Sequence, residues 1–129
     1  MCLFLQFSYA QSYTTIDIVR VDEHYSKEAM FFYNENWTAF RKAALKEGYI
    51  SGYKMMKTPV DSTQHYQLIL ITEYADSVTF HRKEDNFSPI MKKISPNGPK
   101  MLNDIPRNKF LEYIAGYDAF DIVEERRKK

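Results

Sequence analysis

The chain has 129 residues, with 18 basic and 17 acidic side chains, a net charge of +1, 44% hydrophobic residues and one cysteine. That length fits one domain, the composition is that of an ordinary folded protein, and the charge balance gives no support for a nucleic-acid binder. A lone Cys2 excludes an internal disulfide, and the four glycines, Gly48, Gly52, Gly98 and Gly116, are too scattered for a phosphate-binding loop, a dinucleotide fingerprint or a nucleophile elbow.

Residues 1–10, MCLFLQFSYA, carry no charge and end in Ser8-Tyr9-Ala10, with small residues where a signal peptidase reads. The segment resembles the apolar core and cleavage end of a secretory signal, although no Lys or Arg precedes Arg20. We expect a signal-peptide remnant over 1–10, a single domain over 11–120 and a charged tail over 121–129. Export to the periplasm or outside the cell follows from that expectation. The competing reading makes Leu3 to Phe7 an edge strand or apolar arm of the folded domain, in a cytoplasmic protein. The apolar run is about half of the roughly 20 residues that a membrane-spanning helix needs.

From Tyr13 to Val21 the β-branched, alternating pattern predicts a first strand, with Ile16 and Ile18 on one face and Val19 and Val21 on the other. Ser26 is a candidate N-cap for one long helix over Glu28 to Lys46, whose stripe is Met30, Tyr33, Trp37, Phe40 and Ala44, with Gly48 as the stop. Ile50 to Thr58 and Tyr66 to Tyr74 read as an antiparallel hairpin. Asp76 caps a second helix carrying Phe80, Phe87, Met91 and Ile94, with Pro89 kinking it or restarting it after Ser88. After the turn Ser95-Pro-Asn-Gly-Pro99 comes a short helical turn over Lys100 to Ile105. A fourth strand follows over Lys109 to Tyr117, and then a solvated tail.

The order β-α-β-β-α-β predicts an α+β ferredoxin-like sandwich, a four-stranded antiparallel sheet with both helices on one face. Leu68 and Leu70 alternate with Ile69 and Ile71, so both sheet faces are apolar and the second needs a cover. A second copy of the sheet supplies it, which predicts a homodimer; in a monomer the tail or the N-terminal arm would have to serve.

On element order and on the phrases Trp37-Thr-Ala-Phe-Arg-Lys, Gly48-Tyr-Ile-Ser-Gly-Tyr-Lys-Met-Met and Leu68-Ile-Leu-Ile-Thr-Glu-Tyr-Ala-Asp76, residues 13–117 resemble the dimeric α/β-barrel superfamily, which includes antibiotic-biosynthesis monooxygenase-like proteins. The chain is most similar to small exported bacterial proteins with such a domain. The resemblance implies a pocket between helices and sheet. Some haem-degrading relatives use an Asn, a Trp and a haem-ligating His there, but Thr14, Thr15 and Asp17 stand where the Asn would be, so that set is incomplete.

The candidate ligand-binding residues are Asp17, Tyr33, Trp37, Tyr53, Glu73 and His81. Trp37 falls on the apolar helix stripe with Tyr33 and Phe40 and reads first as a core residue, while Asp17, Arg20, Lys54 and Glu73 interrupt strands of buried type and either line a pocket or, more commonly, sit at ends and edges. His81, Glu84 and Asp85 share a helical face, but a zinc site normally recruits a further ligand from elsewhere, and a solvated ion-paired face is the commoner meaning. Asn36-Trp-Thr38 matches a glycosylation sequon but falls mid-helix. No cofactor and no metal is expected. The leading expectation is a dimer that binds a small organic ligand in an apolar, tyrosine-rich pocket. The alternatives are a cofactor-independent monooxygenase or isomerase, and a purely structural dimerisation module.

Overall fold

The computed structural model describes residues 6–127. Its elements are strand β1 (Gln6–Asp22), a single 3₁₀ turn (Glu23–Tyr25), helix α1 (Ser26–Phe32), a π-helical segment (Tyr33–Thr38), helix α2 (Ala39–Glu47), strands β2 (Gly52–Lys57) and β3 (His65–Glu73), helices α3 (Ser77–His81), α4 (Lys83–Ile94) and α5 (Arg107–Phe110), and strand β4 (Leu111–Arg126). The strands form one antiparallel sheet in the order β2-β3-β1-β4. The architecture is α+β and consistent with a ferredoxin-like arrangement.

The sheet register separates two apolar sets. Val19 stands opposite Leu68 and Val21 opposite Tyr66, and these side chains pack with Ala29, Tyr33, Trp37 and Phe110 into one core cluster. A second cluster joins Phe40 and Ala44 of α2 to Tyr74, Phe80, Phe87 and Ile90, so α4 packs against α2. Burying each of these large apolar side chains stabilises the fold by roughly 1.5–3 kcal/mol before the entropy of ordering is counted. On the opposite face, Ile16 pairs with Ile71, Ile18 with Ile69, and Tyr117 and Met56 extend the same surface outward. Tyr117 and Met56 are exposed, and Ile16, Ile18 and Ile69 are half-buried.

Several expected boundaries move. The long first helix is three pieces, because the backbone widens to π-helical spacing over Tyr33–Thr38. Ser26 is the first residue of α1 rather than its cap, and its hydroxyl is hydrogen-bonded to that of Tyr66 at 2.7 Å. The stop is as expected: Gly48 adopts φ 77°, a left-handed conformation that a side chain would strain, and Tyr49 N–H closes the end onto Ala44 O at 2.9 Å. Asp76 caps α3 by accepting from Thr79 N–H at 2.8 Å. The second helix breaks at Arg82 rather than beside Pro89, which α4 carries in its interior. The expected turn over Lys100 to Ile105 gives way to α5, just past Pro106.

Both outer ends of the sheet are longer than expected. Residues 6–12 of β1 and 120–126 of β4 pair beyond the end of β3, Ala10 standing opposite Ile122. The expected tail therefore begins inside β4. Of the expected signal remnant, residues 6–10 belong to this ribbon, and residues 1–5 lie outside the described residues.

Candidate functional site

The helices do not seal the sheet completely, and two cavities meet at Arg41. The larger, about 530 Å³, lies between α4 and the β1–β4 side of the sheet and is lined by Thr15, Asp17, Tyr74, Lys83, Phe87 and Asp118 among others. The smaller, about 300 Å³, lies between the π-helical segment and the chain around Ser95 to Arg107, with walls of Phe32, Tyr33, Trp37, Phe40 and Met91. Arg41 and Met91 line both.

Arg41 comes one turn after Trp37, at the junction of the π-helical segment and α2. Its guanidinium lies over the Trp37 ring at 4.7 Å and over Phe87 at 4.8 Å, and its Nε donates to Thr72 Oγ1 at 3.2 Å. Among the described residues that is its only hydrogen bond, so the terminal nitrogens keep their donors for the cavities. Burial pulls its pKa down to about 10, against the opposing fields of Tyr74 and Asp17.

Asp17 projects from the helix side of β1, in a strand where its register neighbours are Leu70 and Gly116. Burial pushes its carboxyl above the usual range, Arg41 and a hydrogen bond from Tyr113 oppose the shift, and Asp118 adds to it. The Tyr113 hydroxyl donates to Asp17 Oδ1 at 3.5 Å, reaching across Gly116. A Cβ on Gly116 would collide with that hydroxyl and stand 2.9 Å from Asp17 Oδ1, so the glycine is what lets the tyrosine cross. At the cavity rim Lys83 stands 3.9 Å from Asp118 and lies over the Phe80 ring at 4.1 Å.

The floor of the smaller cavity is fixed by Asn36. Its Nδ2 donates to Phe32 O at 2.8 Å and Lys100 O at 2.9 Å, while Lys100 N–H donates to its Oδ1 at 2.9 Å. This amide pins the irregular chain after α4 to the π-helical segment, and it explains a polar residue that is only 4% exposed. Two buried polar atoms have no hydrogen-bond partner among the described residues, Trp37 Nε1 and Ser95 Oγ, and both residues line this cavity. Tyr33, also in its wall, has its hydroxyl pKa pushed well up, first by burial and then by Asp17, with Arg107 opposing.

Of the residues singled out in the sequence, Asp17 lines the larger cavity and Tyr33 and Trp37 the smaller. Tyr53 packs edge-on to Trp37, ring centres 5.7 Å apart, as part of the core beneath. Glu73 is exposed at the end of β3, and its register neighbours Thr14 and Gly52 put it with the uncovered face; His81 is exposed on α3, its ring edge-on to Phe80. Neither reaches the two cavities. Among the described residues no three His, Cys, Asp or Glu side chains could hold a metal ion together. No described helix is long and apolar enough to cross a membrane.

Sequence reasoning passed over Arg41, Ser95 and Arg107. For Arg41 a signal exists: it is a charge four residues after Trp37, within a helix stripe that otherwise reads as buried. For Ser95 and Arg107 there is none, because they come to Trp37 through the path of an irregular segment. No protein-family model matches the chain, and no curated protein matches it.

Proposed function

We propose that this protein binds a small organic ligand in the paired cavities around Arg41, and that it does so as an exported homodimer of the dimeric α/β-barrel kind. The observation that carries the binding half is the smaller cavity, whose aromatic walls also carry two guanidinium groups, Arg41 and Arg107. Pockets that combine apolar walls with a few convergent polar groups are the usual form of small-molecule sites. A packed core would have closed over this volume.

The dimer is supported by the sheet face away from the helices. Ile16, Ile18, Ile69, Ile71, Met56 and Tyr117 share it with Lys54 and Glu73 toward the β2 side, and the helices packed on the sheet lie on the other side. An isologous contact across a twofold axis sets this apolar face against itself. Export rests on the uncharged apolar start of the chain; a mature chain cut after Ala10 would lose the β1 half of the ribbon formed by residues 6–10 and 122–126.

Native mass spectrometry of the purified protein tests the reading. A dimer mass with a bound organic molecule, or one that takes up aromatic fragments, supports it. A monomer that takes up no fragment overturns both halves. Ile69→Lys is expected to give a folded monomer, and a dimer persisting in that variant removes the sheet face as the interface.

One observation favours a second reading. Asp17, whose raised pKa makes its carboxylate a stronger base than usual, lines the larger cavity with Tyr74 and Arg41, where it could take a proton from a phenolic substrate. That is the first step of a cofactor-independent oxygenation in which O₂ is the oxidant, or of an isomerisation. Oxygen uptake with quinol or anthrone-like substrates checks the oxygenase, and turnover unchanged in Asp17→Asn counts against it.

A further inference from the structure

We infer that the smaller cavity is built for a carboxylate, and that its ligand is an aryl-alkanoic acid of about one ring and a short acid chain. The inference rests on the ligand-binding reading above and narrows it. The polar side chains in the lining are Tyr33, Asn36, Trp37, Arg41, Ser95 and Arg107. Asn36 has both ends of its amide engaged with Phe32 and Lys100, so it offers nothing further. Trp37 Nε1 and Ser95 Oγ are buried away from the open space, so what remains is two guanidinium groups and the Tyr33 hydroxyl. Among the described residues no carboxylate lines this cavity; Asp17, Glu84 and Asp118 all line the other one.

Such a set matches an anion. Guanidinium groups bind carboxylates with two parallel N–H donors, and Arg41 and Arg107 both line this cavity. The walls decide against a bare inorganic anion. Phe32, Tyr33, Trp37, Phe40 and Met91 surround the volume, and a small, strongly hydrated ion would leave that apolar surface without contacts. The volume of about 300 Å³ is twice the roughly 150 Å³ that encloses a benzene ring, which leaves room for two or so carbons and the acid. Arg107 closes the mouth: it is exposed, and its guanidinium lies 5.4 Å from the Phe32 ring centre.

Trp37 is the only tryptophan, so its emission reports on this site alone. The test titrates the full chain with 3-phenylpropionate and with 3-phenylpropionamide, which has the same shape and no charge. The acid is expected to change Trp37 emission and to bind about tenfold or more tighter than the amide. Arg41→Met is expected to collapse the ratio between the two, and Arg107→Gln to reduce it by about threefold. Equal affinity for acid and amide overturns the carboxylate assignment while leaving a ligand cavity in place. No response to either at millimolar concentration overturns this inference, whereas the ligand-binding reading falls only if native mass spectrometry also finds no bound molecule or fragment. Should Arg41→Met fail to fold, the exposed Arg107→Gln decides, and an unchanged ratio in that variant overturns the assignment.

Discussion

Arg41→Met separates a residue kept for binding from one kept for stability. Burial that pulls the guanidinium pKa down to about 10 makes holding it charged at neutral pH cost on the order of 3 kcal/mol, at about 1.4 kcal/mol for each tenfold in proton affinity. The sign follows from the direction: the depressed pKa makes the folded state bind fewer protons only above about 10, so below that the cost is present in full. Against it stand two cation–π contacts, at 4.7 and 4.8 Å, worth about 0.5–1 kcal/mol each at a partly solvated site. The hydrogen bond to the buried Thr72 hydroxyl adds about 1 kcal/mol. These contributions nearly cancel, and methionine refills the space left by the aliphatic stem. The variant is therefore expected to unfold within about 1 kcal/mol of the wild type, in urea followed by far-ultraviolet circular dichroism at pH 7. In a thermal melt the midpoint should move by no more than about 5 °C. A loss of more than about 2 kcal/mol would refute the reasoning, because Arg41 would then be a strut of the fold, and its open donors would need no ligand to explain them.

Three further outcomes are expected. Asn36→Ala breaks the two hydrogen bonds to Lys100 and leaves its peptide unpaired, so it should cost about 2–3 kcal/mol and speed amide exchange after α4; protection unchanged around Lys100 would contradict this. Gly116→Ala should drive Tyr113 off Asp17 at a cost of about 1–3 kcal/mol, and pairing it with Tyr113→Ala should recover most of the loss; strict additivity in that cycle would refute the collision. Asp17→Asn should be more stable than the wild type at pH 7. The folded carboxyl pKa is raised, so its stability is complete only when protonated and falls as pH rises through that raised value. The advantage should vanish in acid, and parallel urea profiles at pH 3 and pH 7 would count against it.

Much of the framework is readable from residue spacing. The two-residue alternation of Val19 and Val21 with Ile16 and Ile18, and of Leu68 and Leu70 with Ile69 and Ile71, assigns both sheet faces correctly, because in a strand the face is a local property. The stop at Gly48 and the cap at Asp76 are likewise local chemistry. The ribbon of residues 6–12 with 120–126 was not legible: its two halves are at opposite ends of the chain, and the charged run Glu124 to Arg126 lacks any apolar alternation.

The candidate site divides along the same line. Sequence alone determined that the stripe Tyr33, Trp37, Phe40, Ala44 faces inward, that Asp17 interrupts an apolar strand, and that the sheet has two apolar faces. Tertiary structure alone decided that a cavity stands beside Trp37, between the π-helical segment and the chain after α4. It also decided that Asn36 holds Lys100 across 64 residues of sequence, and that Ser95 and Arg107 arrive at the cavity Arg41 shares. The physical reason is one of range: helix and strand periods specify which side of an element is buried, whereas a cavity is made by the misfit between elements, and nothing in either element's own period records that misfit.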